Sequence, residues 1–150
     1  MKNSHKINLM TKMLYHVPDL GWTWDALYKA ALNSGKIKSP REEELRTLFD
    51  NKISNIIGTF NDKLDEEMYV IFNAKNNKKL GVTDTVKALV LSRFRASRNY
   101  KSIIKNSLFF MAQPRNAYEA LNQLMKTSDK IWEIAGDTSS GRNFYSKRLI

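Results

Sequence analysis

Apolar residues recur three and four positions apart along most of the chain, and convincing two-residue alternation is absent. Ile7, Met10, Leu14 and Val17 predict a first helix, ended by Pro18 and Gly21. Thr23 is placed to cap a second helix with Ala26, Leu27, Ala30 and Ala31 as its buried face, ending at Asn33-Ser34-Gly35. A third, short helix is expected after Ser39, with Pro40 at its first position and acids in its first turn. Phe49, Ile53, Ile56, Ile57, Phe60, Leu64, Met68 and Ile71 hold one face over about six turns and predict a long fourth helix. The polar stretch from Ala74 to Gly81 reads as a loop.

Thr83 is placed to cap a fifth helix whose inner face is Val86, Leu89, Val90 and Phe94. Tyr100 to Ala112 forms a sixth element, closed by Gln113-Pro114. Asn116 is placed to cap a seventh, with Leu121, Leu124, Met125, Ser128, Ile131 and Trp132 on one stripe. Gly136 stops it, and Asp137 to Gly141 reads as a turn before a short helix from Asn143. The sum is an all-α fold: three short N-terminal helices followed by a bundle of longer ones, in one domain spanning 1–150.

Composition narrows the chemistry. The chain has no cysteine and two histidines, His5 and His16, which leaves out disulfides, thiol nucleophiles and His-rich metal clusters. The N-terminus lacks the apolar core of a secretory signal, and no apolar run approaches the roughly 18 residues that span a bilayer. A soluble, cytoplasmic protein, peripheral to the inner membrane if bacterial, is therefore expected. The net charge of +10 is unevenly placed: residues 68–118 hold ten basic side chains against Asp84 alone. Such an excess suits an anionic membrane surface, with Lys78, Lys79, Arg93 and Arg95 among the candidate contacts. A merely solvated, Lys-rich surface is the simpler alternative.

Three short helices before a long one are arranged like the helix-turn-helix head of a TetR-type regulator, over about residues 1–50. A reading helix needs cations or amides facing the duplex, yet Ser39 to Asp50 holds Glu42, Glu43, Glu44 and Asp50 against Arg41 and Arg46. The head is degenerate, and no nucleic-acid partner is expected. Catalytic constellations are missing too: His16 has no nucleophile near it in sequence, Glu133 and Asp137 are a lone carboxylate pair, and no Glu-x-x-His or phosphate-cradling glycine loop occurs. No catalytic residue, metal or cofactor is assigned. Phe94, Phe109, Phe110, Met111, Met125 and Trp132 could line an apolar pocket or form an ordinary core. Phe144 and Tyr145 flank a polar turn, as interface anchors do.

Ile131-Trp132-x-x-Ala135-Gly136-Asp137-x-Ser139, followed by Asn143-x-Tyr145-x-Lys147-Arg148, resembles the signature of the Coq-nine family of ubiquinone-biosynthesis proteins. Val17-Pro18-Asp19-Leu20-Gly21-Trp22-Thr23 is similar to that family's opening motif, and Asp129 and Pro114-x-Asn116 also fit. The likeness covers about residues 7–150. It implies a TetR-like helical fold that has given up DNA binding, and a non-catalytic protein that binds isoprenoid quinone lipids or phospholipid at the membrane. It also implies a partner, the di-iron hydroxylase acting on demethoxyubiquinone. Residue by residue, the implied partner surface is Asp129, Ile131, Asn143, Tyr145 and Arg148, with Phe144 where the family has Trp. Within residues of about 51–150, an incomplete lipid-binding bundle, Phe94, Met125 and Trp132 are the expected lipid contacts.

The chain departs from the family at Gly141 and Arg142, where the turn usually carries an acid and an aromatic. Family members continue through further helices that build a homodimer interface and a membrane-docking helix. Measured against them the chain reads as C-terminally truncated, its final helices missing. A TetR-type DNA-binding regulator and a decayed fragment without function are the alternative readings.

Overall fold

A computed structural model of the chain describes residues 2–33, 41–75 and 80–136. They form seven α-helices: α1 (Lys2–Leu20), α2 (Trp24–Asn33), α3 (Glu42–Leu48), α4 (Ile53–Ala74), α5 (Val82–Ser97), α6 (Lys101–Met111) and α7 (Ala117–Ile134). Short 3-10 turns precede α6 (Arg98–Tyr100) and α7 (Pro114–Asn116). The architecture is all-α and consistent with the expected TetR-like arrangement, with the N-terminal helices leaning on a bundle built around α4, but the first of them is not short: α1 has 19 residues, more than α5, α6 or α7.

The helix boundaries follow local chemistry, with corrections. α1 runs past Pro18 to Leu20 rather than stopping there. Proline removes the N–H that would bond the carbonyl four residues back, and only two residues of the helix follow it, so little helix lies beyond the interruption. The stop is Gly21, at φ 90°, whose N–H bonds Val17 O at 2.8 Å. Thr23 caps α2 as expected: its Oγ1 accepts from Ala26 N at 3.2 Å, and Ala26, Leu27, Ala30 and Ala31 are the buried face. Ser39 and Pro40 lie outside the described residues; Arg41, extended, precedes α3. Phe49 belongs not to the long helix but to the turn before it, where Asp50 and Asn51 take positive φ (52° and 58°). Their short polar side chains tolerate that region, and Asn55 Nδ2 donates to Phe49 O at 3.1 Å across the turn. At α5 the residue preceding the helix is Gly81, not Thr83.

The largest apolar cluster joins α1, α2, α3 and α4 through Met10, Met13, Leu14, Val17, Leu27, Ala30, Leu45, Phe49, Ile56, Phe60 and Leu64. Ala96 of α5 and Ile103 of α6 close it. Trp22 stacks on Phe110 with ring centroids 5.0 Å apart, joining α6 to the α1–α2 corner. Beside this cluster, Lys63 bonds both Glu67 and the Tyr100 hydroxyl, and that hydroxyl donates to Glu67 Oε1 at 2.9 Å. Burial works against the Lys63 ammonium, but these two partners together raise its pKa.

The faces that α5 and α7 present to the bundle differ from those their apolar periodicity indicates. In α5 the buried positions are Thr85, Leu89, Ser92 and Ala96, while Val90 is half out and Phe94 is 67% exposed. In α7 they are Thr127 and Ile131, with Leu121 and Leu124 exposed. At about 100° per residue, each helix is turned by about a quarter revolution from the orientation that would bury its apolar stripe.

Polar side chains on α4 account for the turn. Asp65, 2% exposed, forms an ion pair with Arg93 of α5 and accepts from Thr127 Oγ1 of α7 at 3.2 Å and 3.4 Å. Asn61 Nδ2 donates to Gln123 Oε1 at 2.6 Å, and Gln123 Nε2 donates to Ser54 O at 3.1 Å. Gly58 leaves room for this seat, since a Cβ there would stand 3.2 Å from Gln123 Nε2. Burial pushes the Asp65 carboxyl above its ordinary pKa, against the pull of the Arg93 guanidinium and the Thr127 hydroxyl.

Removing one partner strands the other. Asp65→Ala is expected to cost about 3 kcal/mol in urea unfolding, whereas Asp65→Leu with Arg93→Met returns to within about 1 kcal/mol of the parent. If the double variant is no better than the single one, the pair is not the tie between the helices. A carboxyl whose pKa rises on folding holds its proton more tightly in the folded chain. Its contribution to stability is therefore largest in acid and declines as pH climbs from the ordinary aspartate range through the raised value. Asp65→Asn is expected to flatten that part of the stability–pH curve, measured by urea midpoints across the acid range.

Candidate lipid-binding groove

The quarter turn of α5 and α7 leaves an open groove over α4, walled by α5, α6 and α7. Its inner part has two adjoining hollows. One, of about 310 Å³, lies among Leu64, Val90, Phe94, Ile104, Leu108 and Ile131. The other, of about 210 Å³, lies among Ile57, Phe60, Ile104, Met111, Ala120 and Leu124. Asn61, Arg93, Ile104 and Leu108 line both, so the two lie side by side. Toward solvent the groove flares into a wider hollow of about 700 Å³ between α5 and α6, where Phe94 and Phe109 face Arg98, Lys101 and Lys105.

The inner groove's lining is mostly apolar, with Ser97, Ser107 and Thr127 as minor polar members and one longer polar strip. Leu108 is 64% exposed and Phe109 69%, values that leave most of each side chain without a protein neighbour. The strip is Asn61, Arg93 and Gln123, all engaged in the hydrogen bonds that seat α5 and α7. Arg93 is therefore turned inward, and its charge is matched by Asp65 rather than offered to a surface. Such a space can take an extended hydrocarbon and offer N–H donors to an oxygen partway along it. Among the described residues no group of three or more His, Asp or Glu side chains could hold a metal ion. Within the same residues no helix is long and apolar enough to cross a membrane.

The expected site residues are distributed as follows. Phe94 stands on the groove wall where its inner and outer parts meet. Met125 and Trp132 are half-buried on α7, and the walls described above form without them. Ile131 packs in a buried cluster with Met68, Phe72 and Leu89, touching the inner groove from below. Asp129 is exposed on α7. Asn143, Phe144, Tyr145 and Arg148 lie outside the described residues, as do Lys78, Lys79 and the turn from Asp137 to Gly141. Val90, Ile104, Leu108 and Leu124 were missed as groove residues. At Val90 and Leu124 the helical spacing that signals a core face serves a face open to the groove.

In the head, Glu42, Glu43 and Glu44 occupy the first turn of α3, and Arg46 bonds back to Glu42 through Nε at 2.8 Å and Nη2 at 2.6 Å. The guanidinium also lies over the Trp24 ring, 5.5 Å from its centroid. The junction between α2 and α3 falls within residues 34–40, outside the described ones.

A family model described as COQ9 matches residues 117–150, which begin with α7. Across the chain, the mitochondrial ubiquinone biosynthesis protein COQ9 of Xenopus tropicalis is 26% identical over 145 residues, covering 95% of this chain and 45% of that protein. The Rattus norvegicus protein of the same description is 26% identical over 151 residues, covering 95% and 46%. Its Drosophila melanogaster counterpart is 26% identical over 148 residues, covering 96% and 44%. The chain thus spans somewhat under half the length of these curated relatives. Its C-terminal part is similar to the COQ9 family model, and nearly all of its residues align with COQ9 proteins of ubiquinone biosynthesis at about a quarter identity.

Proposed function

We propose that this chain acts in ubiquinone biosynthesis as a non-catalytic lipid-binding protein. It holds the tail of an isoprenoid quinone intermediate in the groove over α4 and presents the head to a di-iron demethoxyubiquinone hydroxylase at the membrane. The observation that carries the reading is the groove itself: apolar stripes of two helices turned away from the core in a chain similar to COQ9 proteins. An exposed apolar trough is unfavourable unless something apolar covers it, and each buried CH₂ of a tail contributes about 0.8 kcal/mol.

Lipid extraction and mass spectrometry of the purified protein are expected to return an isoprenoid quinone or its precursor. Val90→Gln with Leu124→Gln should lower the retained amount about tenfold without unfolding the protein, since both positions line the groove rather than the core. A lipid-free extract, together with no binding of decylubiquinone in solution, would sink the reading.

Partner capture is separable from lipid retention. The signature positions Asp129, Asn143, Phe144, Tyr145 and Arg148 form the proposed hydroxylase surface, with Ile131 seating α7 beneath them. Tyr145→Ala is expected to weaken co-purification with the hydroxylase at least tenfold while the lipid content stays unchanged, by analogy with truncation of an interface anchor. Equal loss of both would place Tyr145 in the fold rather than at a partner surface.

A further inference from the structure

We propose that the outer mouth of the groove, between α5 and α6, is a docking face for an anionic lipid bilayer. Three large apolar side chains stand out of it: Phe94, Leu108 and Phe109, each more than 60% exposed. Around them Arg98, Lys101 and Lys105 line the same hollow, all exposed and none in an ion pair among the described residues. No acidic residue occurs between Asp84 and Glu119. Along this stretch, Lys87 answers to Asp84 and Arg93 to Asp65, so those two charges are matched.

Apolar side chains ringed by unmatched cations call for an occupant that is both apolar and anionic. A bilayer with anionic headgroups meets both needs, the rings entering the acyl boundary and the cations meeting phosphates. Charge argues against the other occupants. A second copy of the chain carries net +10 and would bring the same cations to the same face. This chain's own residues 137–150 hold Arg142, Lys147 and Arg148 against Asp137 and would add like charge to it. A soluble anion would answer the cations and leave the aromatic rings in water.

Phe94 and Leu108 line both this face and the inner groove, so a docked bilayer would lie directly beside the groove. Docking extends the lipid-carrier reading but does not rest on it, and the two can fail separately.

The test is co-sedimentation of the full chain with vesicles of phosphatidylcholine alone and of phosphatidylcholine mixed with phosphatidylglycerol. The protein is expected to partition onto the mixed vesicles far more than onto the neutral ones, and to lose that preference in high salt. Arg98→Gln, Lys101→Gln and Lys105→Gln together should lower partitioning on the order of 100-fold, about fivefold per cation. Phe109→Ser, which lies outside the inner groove, should lower it about tenfold with helix content unchanged. Equal partitioning onto both vesicle types, or unchanged partitioning of both variants, would overturn the proposal. So would a parent that does not bind vesicles but forms a dimer that Phe109→Ser dissociates, since a second copy would then cover the face. Docking lost with isoprenoid content intact overturns docking alone; intact docking with a lipid-free extract overturns only the carrier reading.

Discussion

A carboxylate that is almost wholly buried has to be answered from whatever packs against it, and Asp65 sits near the middle of the central helix. It is answered from two sides, by the Arg93 guanidinium on α5 and the Thr127 hydroxyl on α7. Both helices are thereby committed in rotation as well as position, because the residue facing Asp65 decides which others face the bundle. Gln123 repeats the commitment about one turn earlier on α7, spanning Asn61 and the Ser54 carbonyl over the gap left by Gly58. An all-apolar seam would tolerate sliding and turning at modest cost; a buried polar network does not, since each misplaced partner is left unpaired.

The groove follows from that commitment. With Arg93 directed at Asp65, Val90 and Phe94 fall on the side of α5 away from the packed arc. With Thr127 directed at the same carboxylate, Leu124 falls on the corresponding side of α7. Leu108 of α6 completes the space between them. The apolar surface that would ordinarily close a helical core is thus displaced to line an opening. The same polar residues that set the rotation then form the one hydrophilic strip along the groove.

Much of the fold was legible in the sequence because its local signals were unopposed. The α2 face, the Thr23 cap, the Gly21 and Gly136 stops and the acidic first turn of α3 are short-range features, decided within a few residues. What escaped were choices made between helices. Apolar spacing on α5 and α7 is real, but periodicity reports that a stripe exists and not what it faces. Arg93 read as a surface cation because nothing nearby in sequence pairs with it; its partner is 28 residues away. Phe94 was legible as a pocket residue by residue type alone, whereas Val90 and Leu124 were assigned to cores. The C-terminal signature carried the family likeness on side chains whose spacing no helical or core requirement dictates, which is why it was specific.

Charge is divided along the same line as packing. Within the groove the guanidinium is matched by a carboxylate, so a hydrocarbon tail beside it meets N–H donors without a net charge to desolvate. At the mouth the cations are unmatched and exposed, where water and counterions cost them little until an anionic surface arrives. An unmatched cation inside would lose its hydration to any tail laid over it, and a matched one outside would give the mouth no preference among surfaces. Both conditions fall within five residues, with Arg93 on the α5 wall of the groove and Arg98 at the mouth, in the 3-10 turn just past the end of α5. The single buried acid on α4 is what separates a charge-matched interior from a rim of unmatched cations.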